Sequence, residues 1–207
     1  WLWGDSGCVK IEKNTEGVPV IAFHSASNSS KLSEDKVNFV FADSLNNVWI
    51  GSDLGLNRID SSGHTDEFYN QENLGVFRKA MQLNSIVYFM SDDVICRYDL
   101  KKHLFLEAFK SSERCSLRDI AQLNKDNLIV SSLEKGLYKV DVNTGLFSKN
   151  PLGSSNPIIA APRIIVDAKK GIWVYDDSGR MIYTDPITGK TKEMQLISPE
   201  VASVIDD

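Results

Sequence analysis

Apolar and polar residues alternate with period two along most of this chain, in short runs broken by Gly, Asn, Asp and Ser. Residues 37–69 show the pattern well. Val37 to Ala42, Val48 to Ser52, Leu56 to Ile59 and Thr65 to Tyr69 each read as a strand. Asn46-Asn47, Leu54-Gly55 and Ser61-Ser62-Gly63 separate them. Gly adopts positive φ freely and Asn tolerates it, so these are turn-forming breaks. No 3.6-residue period persists long enough to predict a helix. The pattern predicts an all-β chain of short antiparallel strands.

The pattern also repeats. Asp43-Ser-Leu-Asn-Asn47-Val-Trp49 matches Asp167-Ala-Lys-Lys-Gly171-Ile-Trp173, with weaker copies at 123–129 and 82–88. Downstream of each aromatic a second signature recurs, in Trp49 to Asp60, Trp1 to Ile11, Glu134 to Asp141 and Asp177 to Asp185. The equivalent positions Trp1, Trp49, Tyr88, Ile129 and Trp173 lie 48, 39, 41 and 44 residues apart. Four short strands in a period of about 40 residues are the signature of a β-propeller blade. One such sheet cannot bury both of its faces alone, so neighbouring blades must cover them. Trp1, Trp49, Tyr88, Ile129 and Trp173 are the expected blade-core residues, large enough to fill the space between sheets.

The pattern Asp-x-x-x-(Gly/Asn)-x-Trp-Ile-Gly-Ser-x-x-Gly-Leu-x-x-Ile-Asp at 43–60 resembles the two-component regulator propeller repeat. It fits WD-repeat, kelch and Asp-box patterns less well. The match is close at 43–60, partial at 1–11, 123–141 and 167–185, and weak at 82–99. The resemblance implies a periplasmic sensor domain of a hybrid two-component system from a polysaccharide-utilising bacterium. It implies further blades, an immunoglobulin-like domain, a membrane span and an output domain on the same chain. That output is a histidine kinase in most such proteins and a module without a kinase in some. An oligosaccharide ligand is implied and a homodimer is left open. No cofactor is expected, and the segment itself is expected to be non-catalytic.

The repeat divides the chain into units at 1–30, 31–74, 75–113, 114–157 and 158–198. Residues 199–207 read as the first strand of a further unit. Val201 to Asp207 aligns with Val37 to Asp43, and the chain begins at a Trp strand rather than at a leader. A slice of a larger propeller is therefore expected, and the alternative is closure of about five blades.

Composition narrows the function classes. The 207 residues are 42% hydrophobic and 25% charged, which is globular and excludes a disordered, collagenous or coiled-coil chain. With 23 Lys and Arg against 28 Asp and Glu, the net charge is -5. No basic stripe is present to neutralise phosphates, so nucleic acid is not an expected partner. No run approaches the roughly 18–20 apolar residues of a transmembrane helix. Three scattered cysteines, Cys8, Cys96 and Cys115, form neither a disulfide framework nor a zinc pattern and read as small buried apolar groups.

Lys36, Arg78, Arg118 and Arg163 place one basic residue near the start of the first strand in four successive units. Arg78 and Arg163 align with Phe39, and Arg118 with Asn38. Such a set suits a carboxylate or sulfate, because guanidinium forks onto oxyanions. The competing expectation is pairing with the acidic second turns, which hold Asp5, Asp53, Asp92, Asp93, Glu134, Asp176 and Asp177. Trp3, at the position of Gly51, is the best candidate for stacking on a sugar ring. His24, His64 and His103 are isolated and form no metal or catalytic motif. The acidic turns lack the alternating oxygen ligands of an EF-hand. Asp185 to Lys190 parallels Asp141 to Gly145 and is a turn rather than a phosphate loop. Asn28-Ser-Ser30 is a glycosylation sequon. No set of acid, base and nucleophile converges. A propeller lyase or glycan-cleaving enzyme and a protein-interaction scaffold remain as alternatives.

Overall fold

The computed structural model describes residues 1–17, 19–27, 32–69, 75–149, 163–185 and 188–195. The described secondary structure consists of strands alone, in five antiparallel sheets, each an up-and-down meander. The chain divides into two compact units, Trp1–Glu107 and Ala108–Asp207.

The first unit opens with a three-stranded sheet of β1 (Leu2–Gly4), β2 (Gly7–Lys13) and β3 (Pro19–His24). The second sheet holds β4 (Val37–Ala42), β5 (Val48–Ser52), β6 (Gly55–Ile59) and β7 (Thr65–Tyr69). The third holds β8 (Lys79–Leu83), β9 (Ile86–Met90), β10 (Val94–Asp99) and β11 (Leu104–Lys110), and β11 leads into the second unit. The second unit holds a sheet of β12 (Leu117–Gln122), β13 (Asn127–Ser132), β14 (Gly136–Asp141) and β15 (Phe147–Lys149). Its other sheet is β16 (Arg163–Val166), β17 (Ile172–Tyr175), β18 (Arg180–Thr184) and β19 (Thr191–Gln195).

Inner strands of successive sheets lie side by side: β4 meets β1 and β8 in the first unit, and β12 meets β16 in the second. Each core sits between two faces. Cys8, on the first sheet, packs with Leu32, Val37, Ile50 and Ile59, and Trp1 lies against this group. On the other face of the second sheet, Trp49 is fully buried, with ring centroids 4.7 Å from Phe89 and 4.9 Å from Tyr98 of the third. In the second unit Ile129 packs with Ile164, Ile172, Val174 and Ile182 of the following sheet. The large apolar residue near the start of the second strand of a repeat thus faces the next sheet, in three places.

Strands of the 31–74 region fall where alternation puts them, except that β6 begins at Gly55 rather than Leu56. Trp1 precedes β1 and is half-buried, and Trp173 is also half-buried, against Tyr183 at 4.6 Å; Trp49, Tyr88 and Ile129 are buried. A Cβ on Gly51 would stand 2.0 Å from Phe39 Cε1, so this glycine lets the neighbouring strand's ring lie flat on β5. Trp3, its counterpart on β1, pairs with Cys8 of β2, and β1 is the edge of its described sheet, so no described strand pairs with it on the side where β4 flanks β5. Cys8, Cys96 and Cys115 are free and buried, and burial pushes the Cys8 thiol up to about 11. Val201–Asp207 and the Asn28 sequon lie outside the described residues. Among the described residues no helix is long and apolar enough to cross a membrane.

Candidate functional site

The acidic residues of the repeat are largely committed to turns. Asp43 is buried; its carboxylate accepts from Leu45 N (2.9 Å), Asn47 N (3.0 Å) and the Trp49 indole Nε1 (2.8 Å). Asp167 does the same with Lys169 N (2.9 Å), Gly171 N (2.7 Å) and Trp173 Nε1 (3.0 Å). The Asp-to-Trp spacing of the repeat is therefore one device: a carboxylate closes the turn and anchors the indole that packs the sheet. The Trp173 indole hydrogen bond holds the Asp167 carboxyl below the usual carboxylate range. The third turns repeat the device without Trp. Asp60 accepts from Ser62 and His64, Asp141 from Asn143 and Thr144, and Asp185 from Thr188. These carboxylates are turn caps.

The four basic candidates divide two and two. In the first unit Lys36 Nζ lies 3.1 Å from Asp53 Oδ2, and Arg78 donates through Nε (2.9 Å) and Nη2 (2.7 Å) to Asp92 Oδ1. Both carboxylates belong to the second turn of their own sheet, so pairing within the rim describes this half of the set. Asn38, which composition alone would not single out, adds to it. A bulge in the β4–β5 register falls between Val37 and Phe39, which leaves Asn38 outside the ladder. Its Nδ2 donates to Asp53 Oδ1 (2.7 Å) and to Phe77 O (3.1 Å), just before β8. That hydrogen bond, followed by Lys36, holds the Asp53 carboxyl below its ordinary range.

In the second unit the same bulge recurs between Leu117 and Asp119 and carries Arg118. Arg118 Nε is buried and has no hydrogen-bond partner among the described residues. Asp119, beside it, accepts from Ile120 N (2.8 Å) and from Ile164 N (2.7 Å), and so brings Arg163, the first residue of β16, next to the bulge. Arg163 is exposed, and among the described residues no ion pair or hydrogen bond ends on either guanidinium. Across the ladder from Asp119, the hydroxyl of fully buried Ser131 also lacks a partner. Asp176, an expected acidic partner in this unit, is taken by Ser178 N (2.9 Å) and Ser178 Oγ (2.6 Å). Two arginines with open donors therefore sit at the start of adjacent inner strands.

Trp3 is half-exposed on β1, and His24 lies 5.2 Å from the Trp1 ring. Among the described residues, no three His, Cys, Asp or Glu side chains are grouped as a metal site would need. Glu113, unforeseen in the sequence, bridges Lys135 (2.8 Å) and Lys149 (2.9 Å), and those bonds hold its carboxyl at about 2, from an ordinary 4.5. A carboxylate depressed in the folded state adds stability above its unfolded value, and that stability is lost as pH falls through the folded value. The stability difference between the wild type and Glu113→Gln is expected to be present at pH 6 and gone near pH 2. Urea titrations across that range measure it, and a pH-independent difference would show that the two lysines do not hold the carboxylate.

No protein-family model and no curated protein matches the sequence. Among solved structures, one similar chain is the extracellular domain of a one-component system from B. thetaiotaomicron. It has 15% identity and a TM-score of 0.75, over 96% of this chain and 30% of that one. The extracellular domain of a hybrid two-component system from the same organism has 12% identity and a TM-score of 0.66, over 86% of this chain and 24% of that one. Virginiamycin B lyase from Staphylococcus aureus has 15% identity and a TM-score of 0.66, over 94% of this chain and 72% of that one. The fold is that of a β-propeller. At these identities the likeness speaks for the fold, and propellers host many chemistries. The propeller chain spans less than a third of either sensor domain.

Proposed function

We propose that this propeller chain is the extracytoplasmic ligand-sensing part of a bacterial two-component or one-component signalling protein, exposed to the periplasm, and that it recognises an acidic glycan fragment. The observation that carries the reading is the contrast between the paired Lys36 and Arg78 and the unpaired Arg118 and Arg163. A buried guanidinium N–H without an acceptor is costly, and a carboxylate or sulfate oxygen would satisfy it. Extracellular sensor domains among the structural neighbours support the signalling class. The sensing mechanism is population shift. Ligand favours one arrangement of the propeller and the domains that follow, and the output is biased by the difference in affinity.

Ligand binding to the folded state alone stabilises it by about 2.7 kcal/mol at one hundred times Kd. A carboxylated or sulfated oligosaccharide is therefore expected to raise the melting temperature. Arg118→Ala and Arg163→Ala should each abolish the rise, whereas Arg78→Ala, whose side chain is engaged with Asp92, should retain it. An equal rise with neutral oligosaccharides, or one that survives both substitutions, would remove the acidic-glycan reading. The lyase neighbour favours a second reading, a propeller enzyme. Turnover of a glycan panel by the purified chain would support that alternative.

A further inference from the structure

The receiving face of each sheet can be compared position by position. In the second sheet it carries Ile50 and Ile59, which are 1% and 8% exposed because the Cys8 face of the first sheet covers them. In the third sheet the same positions are Phe89 and Tyr98, buried under Trp49 of the second. In the fifth, Val174 stands at the position of Ile50 and Ile182 at that of Asn57, and both are buried against Ile129 of the fourth. Wherever a receiving face and the sheet before it lie within one unit, that preceding sheet is the cover.

The first sheet has the same face in the same register. Leu2 pairs with Val9, Val9 with Phe23 and Ile11 with Ile21, so these five side chains share one side. Trp3, Cys8 and His24 share the other, which packs on the second sheet. Leu2 and Ile11 occupy the positions of Ile50 and Ile59, yet they are 62% and 50% exposed, and Ile21 is 67% exposed. This outer face is also more apolar than the one the second sheet buries. Val9, Ile21 and Phe23 stand where the second sheet has Asn57, Thr65 and Glu67. Large contiguous apolar patches are uncommon on a free surface and mark a place where something docks.

We infer that the Leu2–Val9–Ile11–Ile21–Phe23 face is a blade interface, covered in the full-length protein by another sheet of the same repeat, supplied by polypeptide outside Trp1–Asp207. The occupant follows from the repeat itself, since the seam between first and second sheets recurs between second and third and between fourth and fifth. The covering sheet presents an apolar face with an apolar residue at the position of Cys8, Leu56 and Leu137 and another near the start of its second strand, as Trp1, Trp49 and Ile129 are here. The inference is independent of the ligand, because no residue of the Arg118 site takes part.

Thiol labelling tests it, since the three native cysteines are buried. Ile21→Cys probes the face, and Leu54→Cys, at a turn residue 55% exposed, is the reference. In the 207-residue chain both are expected to react with maleimide at similar rates. In the full-length protein Ile21→Cys should react more slowly by on the order of 100-fold, since labelling then requires opening of a packed seam. Equal rates in the full-length protein would overturn the inference. So would protection of Ile21→Cys within the 207-residue chain, which would identify a second copy as the cover if it rose with concentration and this chain's own residues if it did not. Amide exchange in β3 of the unsubstituted proteins gives the same comparison without a mutation. Slower exchange in the full-length protein supports the interface, and unchanged exchange removes it.

Discussion

Trp49→Ala is expected to destabilise the first unit by about 3–5 kcal/mol, the usual cost of truncating a buried aromatic. Trp49 is fully buried and reaches Phe68, Phe89, Tyr98 and Phe105, so its removal opens a cavity shared by two sheets. The Arg58 guanidinium also lies over the ring, 5.7 Å from its centroid, and donates through Nη1 to Tyr98 Oη at 2.7 Å. Losing the indole therefore exposes a charged group to a void as well as removing apolar contact. Trp49→Phe should cost less, because the ring volume is largely kept while the indole N–H is lost. Urea denaturation followed by far-ultraviolet circular dichroism measures both. A midpoint unchanged in Trp49→Ala would mean that the two sheets do not share this core.

Asp43→Ala is expected to cost about 3 kcal/mol, although it removes only a small side chain. Its carboxylate is buried and holds two backbone N–H groups, the Asn47 amide and the indole of Trp49. Without it the buried indole N–H has lost its acceptor and the Asp43–Asn47 turn has lost its cap, where Asn46 sits at φ 61°. The two sites should be coupled. A double-mutant cycle of Asp43→Ala with Trp49→Phe is expected to fall short of additivity by about 1 kcal/mol or more, because either change alone breaks the same hydrogen bond. Strict additivity would show that carboxylate and indole stabilise the unit separately.

Much of this architecture is legible in the sequence because its devices are local. Turn residues at Asn46, Gly55 and Gly63 delimit strands that pair with their sequence neighbours, so alternation alone sets β4 to β7 nearly to the residue. The Asp-to-Trp spacing is legible as a pattern, and its cause becomes visible in the bond from Trp49 Nε1 to Asp43 Oδ2. Which basic residues are engaged is not legible. Lys36, Arg78, Arg118 and Arg163 look alike along the chain. Their fates depend on a one-residue bulge and on whether the facing turn offers a carboxylate not already used as its own cap. Asp53 and Asp92 do so, and Asp176 does not. Aligning Arg118 with Asn38 gave the one available hint, since the two sit at the same bulge. Glu113 carries no motif, and its lysines come from the β13–β14 turn and from β15.

The bulges also bear on how the sheets are joined. Asn38 reaches over to the backbone at Phe77, and Asp119 reaches over to the backbone at Ile164, so in each unit one side chain bolts an inner strand to the start of the next. Each bolt bridges a seam that strand ladders do not cross. Removing one should loosen a single seam while the ladders on either side stay intact, and repeat proteins yield in this way, joint by joint. In the second unit the bolt is next to the open arginines. An anion held by Arg118 and Arg163 would therefore grip both leaves of one joint, and its occupancy would be felt first as a change in the stiffness of that hinge line.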